Sequence, residues 1–324
     1  MTNSNENSAK QVTLLSSKES SAKQIALLSK LPVLNQKHLG SCFTNAVCSA
    51  MEYAQLKDPK FKELIQPSRM FMYRLSEQYG LARITGIPAK SGDSGGLPNA
   101  VATLIKTFGV CSSRYLPYPG DKFFAQATKE EIDALLNAAP TSVQLEMATK
   151  QLEKFKYYSV QQTIDNLSRK VSLSVVDPCD NSKVIKSSIN PIDFFKWSIE
   201  ELDLPVCIGI PVFSNWGLTD ASQFGIIDMP AANDTIEGGH AVLAVGYNDD
   251  YVFPSGAKGA IIFQNSWGEA WPAHNIYGSC AGLGLLPYDL FDRYSLGISY
   301  GPIVTKCSMT DTVEGRFLGE LIAN

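Results

Sequence analysis

The stretch "PVLNQKHLGSCFTNAVCSAMEYA", Pro32 to Ala54, decides how this chain is read. In its second half Phe43, Ala46, Val47, Ala50, Met51 and Ala54 recur at three- and four-residue intervals, which places one apolar face along a helix. Cys42 opens that helix. Unsatisfied amides and the helix dipole stabilise negative charge at such a position, so the thiol pKa is expected to be lowered and the thiolate, the reactive form, to be populated.

Around this stretch the composition is that of a globular protein. The chain has 324 residues, 44% hydrophobic and 19% charged, enough for one large or two ordinary domains. Its net charge of -4 is spread without basic blocks, so neither nucleic acid nor an anionic membrane is expected as a partner. No run approaches the length of a membrane span, and "MTNSNENSAKQVTLLSSKESSAKQ" lacks the apolar core of a secretory signal. The expectation is a cytoplasmic protein on the chain as given, or a secreted one if a signal peptide was removed. Seven cysteines, Cys42, Cys48, Cys111, Cys179, Cys207, Cys280 and Cys307, are thinly scattered without a Cys-x-x-Cys pair for zinc or redox work. Most are expected to be buried thiols.

Along the chain, residues 1-27 read as a flexible N-terminal segment rich in Ser, Asn, Lys and Gln. Residues 28-118 form a helical part with the nucleophile, in which "GGLPNAVATLIKTFG" is a helix stopped by Gly109. Residues 119-189 hold a helix opened by a Thr128 to Glu131 capping box, a helical stretch from Pro140 to about Tyr157, and a hairpin in which "KVSLSVV" and "KVIKSS" flank "DPCDNS". Residues 190-305 are strand-rich, with "PVCIGIPVF", "HAVLAVGY" and "AIIFQ", and 306-324 form a tail. Helices first and strands later make an α+β protein with two segregated halves.

A second motif competes for the nucleophile. "SGDSGG", residues 91 to 96, matches the local signature around the serine of chymotrypsin-like proteases. The histidines argue against Ser94. His38 is too close to it in sequence, while His240 and His274 follow it and reverse the His-Asp-Ser order; an early helical half also contradicts a double β-barrel.

"PVLNQKHLGSCFTNA", "GGHAVLAVGY" and "QNSWG" together resemble the papain family of cysteine peptidases, in that family's order Gln, Cys, His, Asn. The resemblance runs from about Leu31 to Tyr300 and is closest to bacterial members with "LGSC" before the nucleophile and "LPYDLF" after the Asn strand. It implies a two-lobed fold, helical on the left and β-barrel-like on the right, with the active-site cleft between. In it Cys42 is the nucleophile, His240 the base and later acid, and Asn265 the group that orients the imidazole. Gln36 and the Cys42 amide stabilise the oxyanion, and Trp267 shields the His–Asn hydrogen bond. Gly95, Gly96, Leu97, Pro98, Gly239 and Ala241 line the substrate cleft with Trp267, and Ser94 is a bystander.

The resemblance implies a monomeric peptidase that acts on peptide or protein substrates through a thiolate–imidazolium pair and an acyl-enzyme, with no metal and no cofactor. Two alternatives stand beside it. A transglutaminase-type acyltransferase also uses Cys then His, but usually with Asp where this chain has Asn265. A catalytically silent papain-like protein would only bind peptides. His38 and His274 are expected at the surface and Cys48 in the core, and Gly238 and Gly239 could equally make a tight strand entry. The long segment from about Phe123 to Ile189 is expected to pack its helices on the β-rich half and to lean its hairpin over one end of the cleft.

Overall fold

The computed structural model describes residues 25, 27–59, 61, 64–77, 92–93, 95–96, 98–152, 154–164, 171–178, 180, 182–217, 219–275, 280–294 and 302–305. The sequence pattern gives helix α1 (Cys42–Lys57) one apolar face, yet Phe43 through Gln55 are all buried. The reason is its place between the two halves: α2 (Arg69–Leu75) and α3 (Pro98–Phe108) contact it from one half, and strands β5 (Val206–Phe213) and β6 (Ile236–Val252) from the other. Its buried polar residues are bonded accordingly. Asn45 Nδ2 donates to Ser41 O (2.8 Å), and Gln55 donates to Ile65 O (2.9 Å) while accepting from Ile65 N (2.7 Å).

Local signals set the surrounding helices. Ser68 caps α2 by accepting the Phe71 amide at 3.0 Å, and its own hydroxyl donates to Leu116 O at 2.6 Å. Helix α3 stops at Gly109, which has φ +79°, and a Cβ there would lie 2.0 Å from Ala148 O. Helices α4 (Asp121–Gln126), α5 (Lys129–Asn137) and α6 (Ser142–Thr149) follow. The expected capping box from Thr128 to Glu131 is present, and a second one, Thr141 to Gln144, opens α6.

The 119-189 segment departs from its sequence reading in three ways. The stretch after Pro140 ends as helix at Thr149, and β1 (Phe155–Tyr157) instead pairs antiparallel with β9 (Ile303–Thr305). Helices α5 and α6 pack on α2 and α3 rather than on the β-rich half. There Leu145 and Ala148 join Phe71, Leu75, Leu104 and Cys111 in a small apolar cluster.

The hairpin is real but is anchored elsewhere. β2 (Ser159–Ile164), β3 (Val171–Val176) and β4 (Val184–Ile189) form an antiparallel three-stranded sheet, β3 contacting α7 (Pro191–Trp197) and Tyr158 meeting Trp197 edge-on at 6.1 Å. The chain enters this sheet beside the C-terminal end of α1, because Phe155 pairs with Thr305 and Thr305 Oγ1 donates to Asp58. Fifteen residues at a 1.5 Å rise put that end about 22 Å from Cys42. The expected lean over the cleft is therefore replaced by attachment at the end of α1 far from Cys42.

The β-rich half is an antiparallel sheet in the order β5, β6, β7 (Lys258–Gln264), β8 (Leu283–Pro287), with α8 (Thr219–Phe224) and α9 (Tyr288–Tyr294) beside it. Strand β6 runs for 17 residues because "HAVLAVGY" alternates between two neighbours and both its faces are buried. The loose tether expected through residue 27 gives way at Ile25, which with Leu28 is part of the continuous core. Among the described residues, no helix is long and apolar enough to cross a membrane.

Candidate active site

Two segments far apart in sequence are laced together at the top of α1. Gln36 N donates to Ser266 O (2.8 Å) and Gly268 N to Leu34 O (3.0 Å), so the segment before the nucleophile pairs with the "NSWG" turn. Tyr118 donates to Gln36 O at 2.8 Å and lies 2.7 Å from Ser41 Oγ. Arg69 supports the same loop, donating to Asn35 O (2.9 Å) and Asn45 Oδ1 (2.8 Å) with its guanidinium 4.0 Å over the Tyr118 ring.

Because Ser41 Oγ faces Tyr118, no side chain caps α1. The amides of Cys42 and Phe43 therefore remain for the Cys42 sulfur, and the Ala241 amide of β6 approaches it from the opposite half; all three favour the thiolate. Burial outweighs them, and with the charge of Asp93 it pushes the thiol above its ordinary value. This corrects the expectation that helix position alone lowers the thiol pKa. The amides act as expected, but the sulfur is less hydrated than a helix terminus in water.

His240 is buried at the cleft end of β6, where its Nε2 lies 2.8 Å from Asn265 Oδ1. The Ser266 amide donates to the same oxygen at 2.8 Å, so that atom is the carbonyl oxygen and His240 Nε2 must carry the proton. Nδ1 is left with a lone pair. Burial holds the imidazole down at about 4, opposed by the bond to Asn265. Taken singly, thiolate and imidazolium are both disfavoured here by burial. Trp267 covers the ring at 5.2 Å, with Trp271 edge-on behind it at 5.5 Å. Asn265 Nδ2 is buried with no hydrogen-bond partner among the described residues, a cost accepted beside an oxygen that takes two donors.

Gln36 is held by both ends of its amide. Its Oε1 accepts from Ser266 Oγ at 2.7 Å, and its Nε2 donates to Leu39 O at 2.9 Å, which leaves the second Nε2 hydrogen free to meet an oxyanion. Gly95 has φ +74°, and a Cβ on Gly96 would lie 2.2 Å from the Phe43 ring, so both positions require glycine. Gly239 is exposed and pairs with Pro211 of β5, and Gly238 and Gly239 lie near the start of β6. Ala241 is buried opposite Gly209. Ser94 and Leu97 lie outside the described residues; Pro98 begins α3. His38 and His274 are exposed and Cys48 is buried, as expected.

The sequence reading passed over Tyr73, Asp93, Tyr118 and Arg69. Asp93 stands inside "GDSGG", where the serine drew the attention, and Tyr118 ends "RYLPY". Ser266 was inside a quoted motif without a role.

This is the two-lobed papain-like fold, α+β, with the cleft where its lobes meet. The structure of xylellain, a cysteine protease from Xylella fastidiosa, superposes with a TM-score of 0.55 and 23% identity, covering 85% of this chain and 82% of that one. An uncharacterized peptidase C1-like protein of Acanthamoeba polyphaga mimivirus is 27% identical over 244 residues, 74% of this chain. This chain spans about three fifths of that relative's length, 61%. No protein-family model matches.

Proposed function

We propose that this chain is a papain-like cysteine peptidase that cleaves peptide bonds through an acyl-enzyme on Cys42. The reading is carried by the His240–Asn265 hydrogen bond of 2.8 Å, whose acceptor oxygen is fixed by the Ser266 amide so that Nδ1 is the free base of the ring. Substrate enters the groove between Gly95–Gly96 and the start of β6, where the flanking glycines leave its main chain room to pair with theirs.

The Cys42 proton passes to His240 Nδ1, and the sulfur attacks the carbonyl carbon of the scissile bond. Gln36 Nε2 and the Cys42 amide receive the tetrahedral oxygen. The imidazolium then gives its proton to the leaving amine, and water activated by neutral His240 releases the acyl group. Trp267 keeps bulk water from the His240–Asn265 bond, which therefore keeps the ring oriented through both half-reactions.

The test is an epoxide-type thiol-peptidase inhibitor followed by peptide mapping. A single adduct on Cys42, together with peptide hydrolysis that Cys42→Ala abolishes, is the expected result. An adduct on Cys42 with no hydrolysis of any peptide in a mixed-sequence library would leave a binding protein in its place. Amine incorporation faster than hydrolysis would make the chain an acyltransferase.

A further inference from the structure

Asp93 is an exposed carboxylate in a motif whose serine has no part in the chemistry proposed above. Its two oxygens accept the same amide, Gly40 N, at 2.9 and 3.1 Å. Tyr73, from α2, donates its hydroxyl to Oδ1, and Gly95 N donates back to the Tyr73 oxygen at 3.3 Å. These bonds form a circuit from the loop two residues before Cys42, through Asp93 and Tyr73, to Gly95. The circuit is tight: a Cβ on Gly40 would lie 3.1 Å from Gly95 Cα and 3.2 Å from Asp93 Oδ1. Tyr73 also packs edge-on to Phe43 at 6.0 Å, the same ring that Gly96 lies against.

We propose that Asp93 is a positioning residue of the cleft: with Tyr73 it fixes the Gly95–Gly96 segment against the loop before Cys42, where its charge bears on the sulfur. The groups that bear on this are few. The first turn of α1 adds no acidic group, and the Asp93 charge opposes the thiolate. Asp93 in turn meets Tyr73, which also feels Glu77, and it acts on Tyr118. Asp133 of α5 reaches Gly92 but is paired with Lys129.

The groove part of this inference rests on the peptidase reading; the charge part does not. Three variants separate them: Asp93→Asn removes the charge, Tyr73→Phe breaks the circuit with the charge in place, and Asp93→Glu keeps the charge but displaces it. Each is checked for a wild-type melting profile, and two quantities are measured. One is the pH midpoint for alkylation of Cys42 by iodoacetamide. The other is the rate of inactivation by a peptidyl epoxide divided by the iodoacetamide rate at one pH, which reports the groove and not the thiol. Asp93→Asn should move the midpoint to lower pH, while Tyr73→Phe and Asp93→Glu leave it closer to wild type. All three should lower the ratio roughly three- to tenfold, the effect of losing one or two hydrogen bonds.

A folded Asp93→Asn protein with the wild-type midpoint and ratio overturns the inference. If that variant does not fold, an unchanged ratio in both Tyr73→Phe and Asp93→Glu overturns it. A wild type that reacts no faster with the peptidyl epoxide than with iodoacetamide refutes the peptide-cleft reading and the groove part with it, and the midpoint of Asp93→Asn then decides the charge part alone.

Discussion

Glu52 sits on the helix that carries Cys42, ten residues further along, and is 5% exposed. Its Oε2 has no hydrogen-bond partner among the described residues. Arg69 is the nearest compensating charge, but its Nη1 is committed to Asn35 O and Asn45 Oδ1 and its guanidinium lies over Tyr118. Burial therefore prevails over Arg69 and raises the Glu52 carboxyl from an ordinary 4.5 to about 7. A folded value above the unfolded one means that the folded state holds the proton more tightly, so stability falls as pH rises from about 4.5 and levels off above about 7. The gap of roughly 2.5 units at 1.36 kcal/mol per unit makes the loss on the order of 3 kcal/mol. Glu52→Gln keeps the shape and removes the titration. With an unfolding entropy of about 2.1 cal/mol/K per residue, the chain loses about 0.7 kcal/mol per degree near its midpoint, so the variant should melt about 4 to 5 °C higher than wild type at pH 8. At pH 4.5 the advantage should shrink to within about a degree. The assay is thermal unfolding of both proteins between pH 4.5 and 8.5. A melting difference that is constant across this range, or that grows toward acid, would refute the reasoning.

Cys42→Ala should abolish hydrolysis of a fluorogenic peptide while Ser94→Ala keeps nearly the wild-type rate; equal losses would return the nucleophile to the "GDSGG" motif. Gln36→Ala should cost on the order of 3 kcal/mol in the barrier, about a hundredfold in kcat with a smaller change in KM, and an effect on KM alone would place Gln36 outside the oxyanion site. His240→Ala should be nearly inactive and Asn265→Ala measurably active, because one removes the base and the other its orientation; the reverse order in the same peptide assay would exchange their roles. In His240→Ala the thiol loses its proton acceptor, so the alkylation midpoint of Cys42 should move above the ordinary thiol value, in the direction burial drives it. A midpoint unchanged from wild type would mean that the two groups are not coupled.

The parts of this molecule that could be read from sequence are those in which one local signal decides the outcome. The Thr128–Glu131 capping box and the Gly109 stop carry their own geometry, and both stand where the residues place them. The proposed site residues Gln36, Cys42, His240 and Asn265 could be picked out because each lies in a short motif and the motifs occur in order. What could not be read depends on partners distant in the chain. "FKY" at 155 to 157 follows a helical stretch, and only pairing with Ile303–Thr305 makes it a strand. The start of α5 could be read from its cap, but the docking of α6 on α2 and α3 depends on Leu145 and Ala148 meeting Phe71 and Leu104.

The Cys42 thiol shows the same division within one residue. Its helix position was legible, and the amides of Cys42 and Phe43 do favour the thiolate as that position implies. The opposing terms, burial and the Asp93 charge, come from the second half folding over the sulfur and from a loop some fifty residues away. A helix N-terminus by itself therefore does not make a reactive thiol in this chain. In the proposed mechanism the reactive form needs His240, because a buried sulfur can lose its proton at neutral pH only to a base that lies close enough for the two new charges to stabilise each other. The Asn265–Ser266 turn contributes by fixing which nitrogen of that base is free, and the pairing of Gln36 with Ser266 ties the same turn to the oxyanion side of the site. His240 and Gln36 are thus both tied to a single turn, and that arrangement depends on the two halves being packed together.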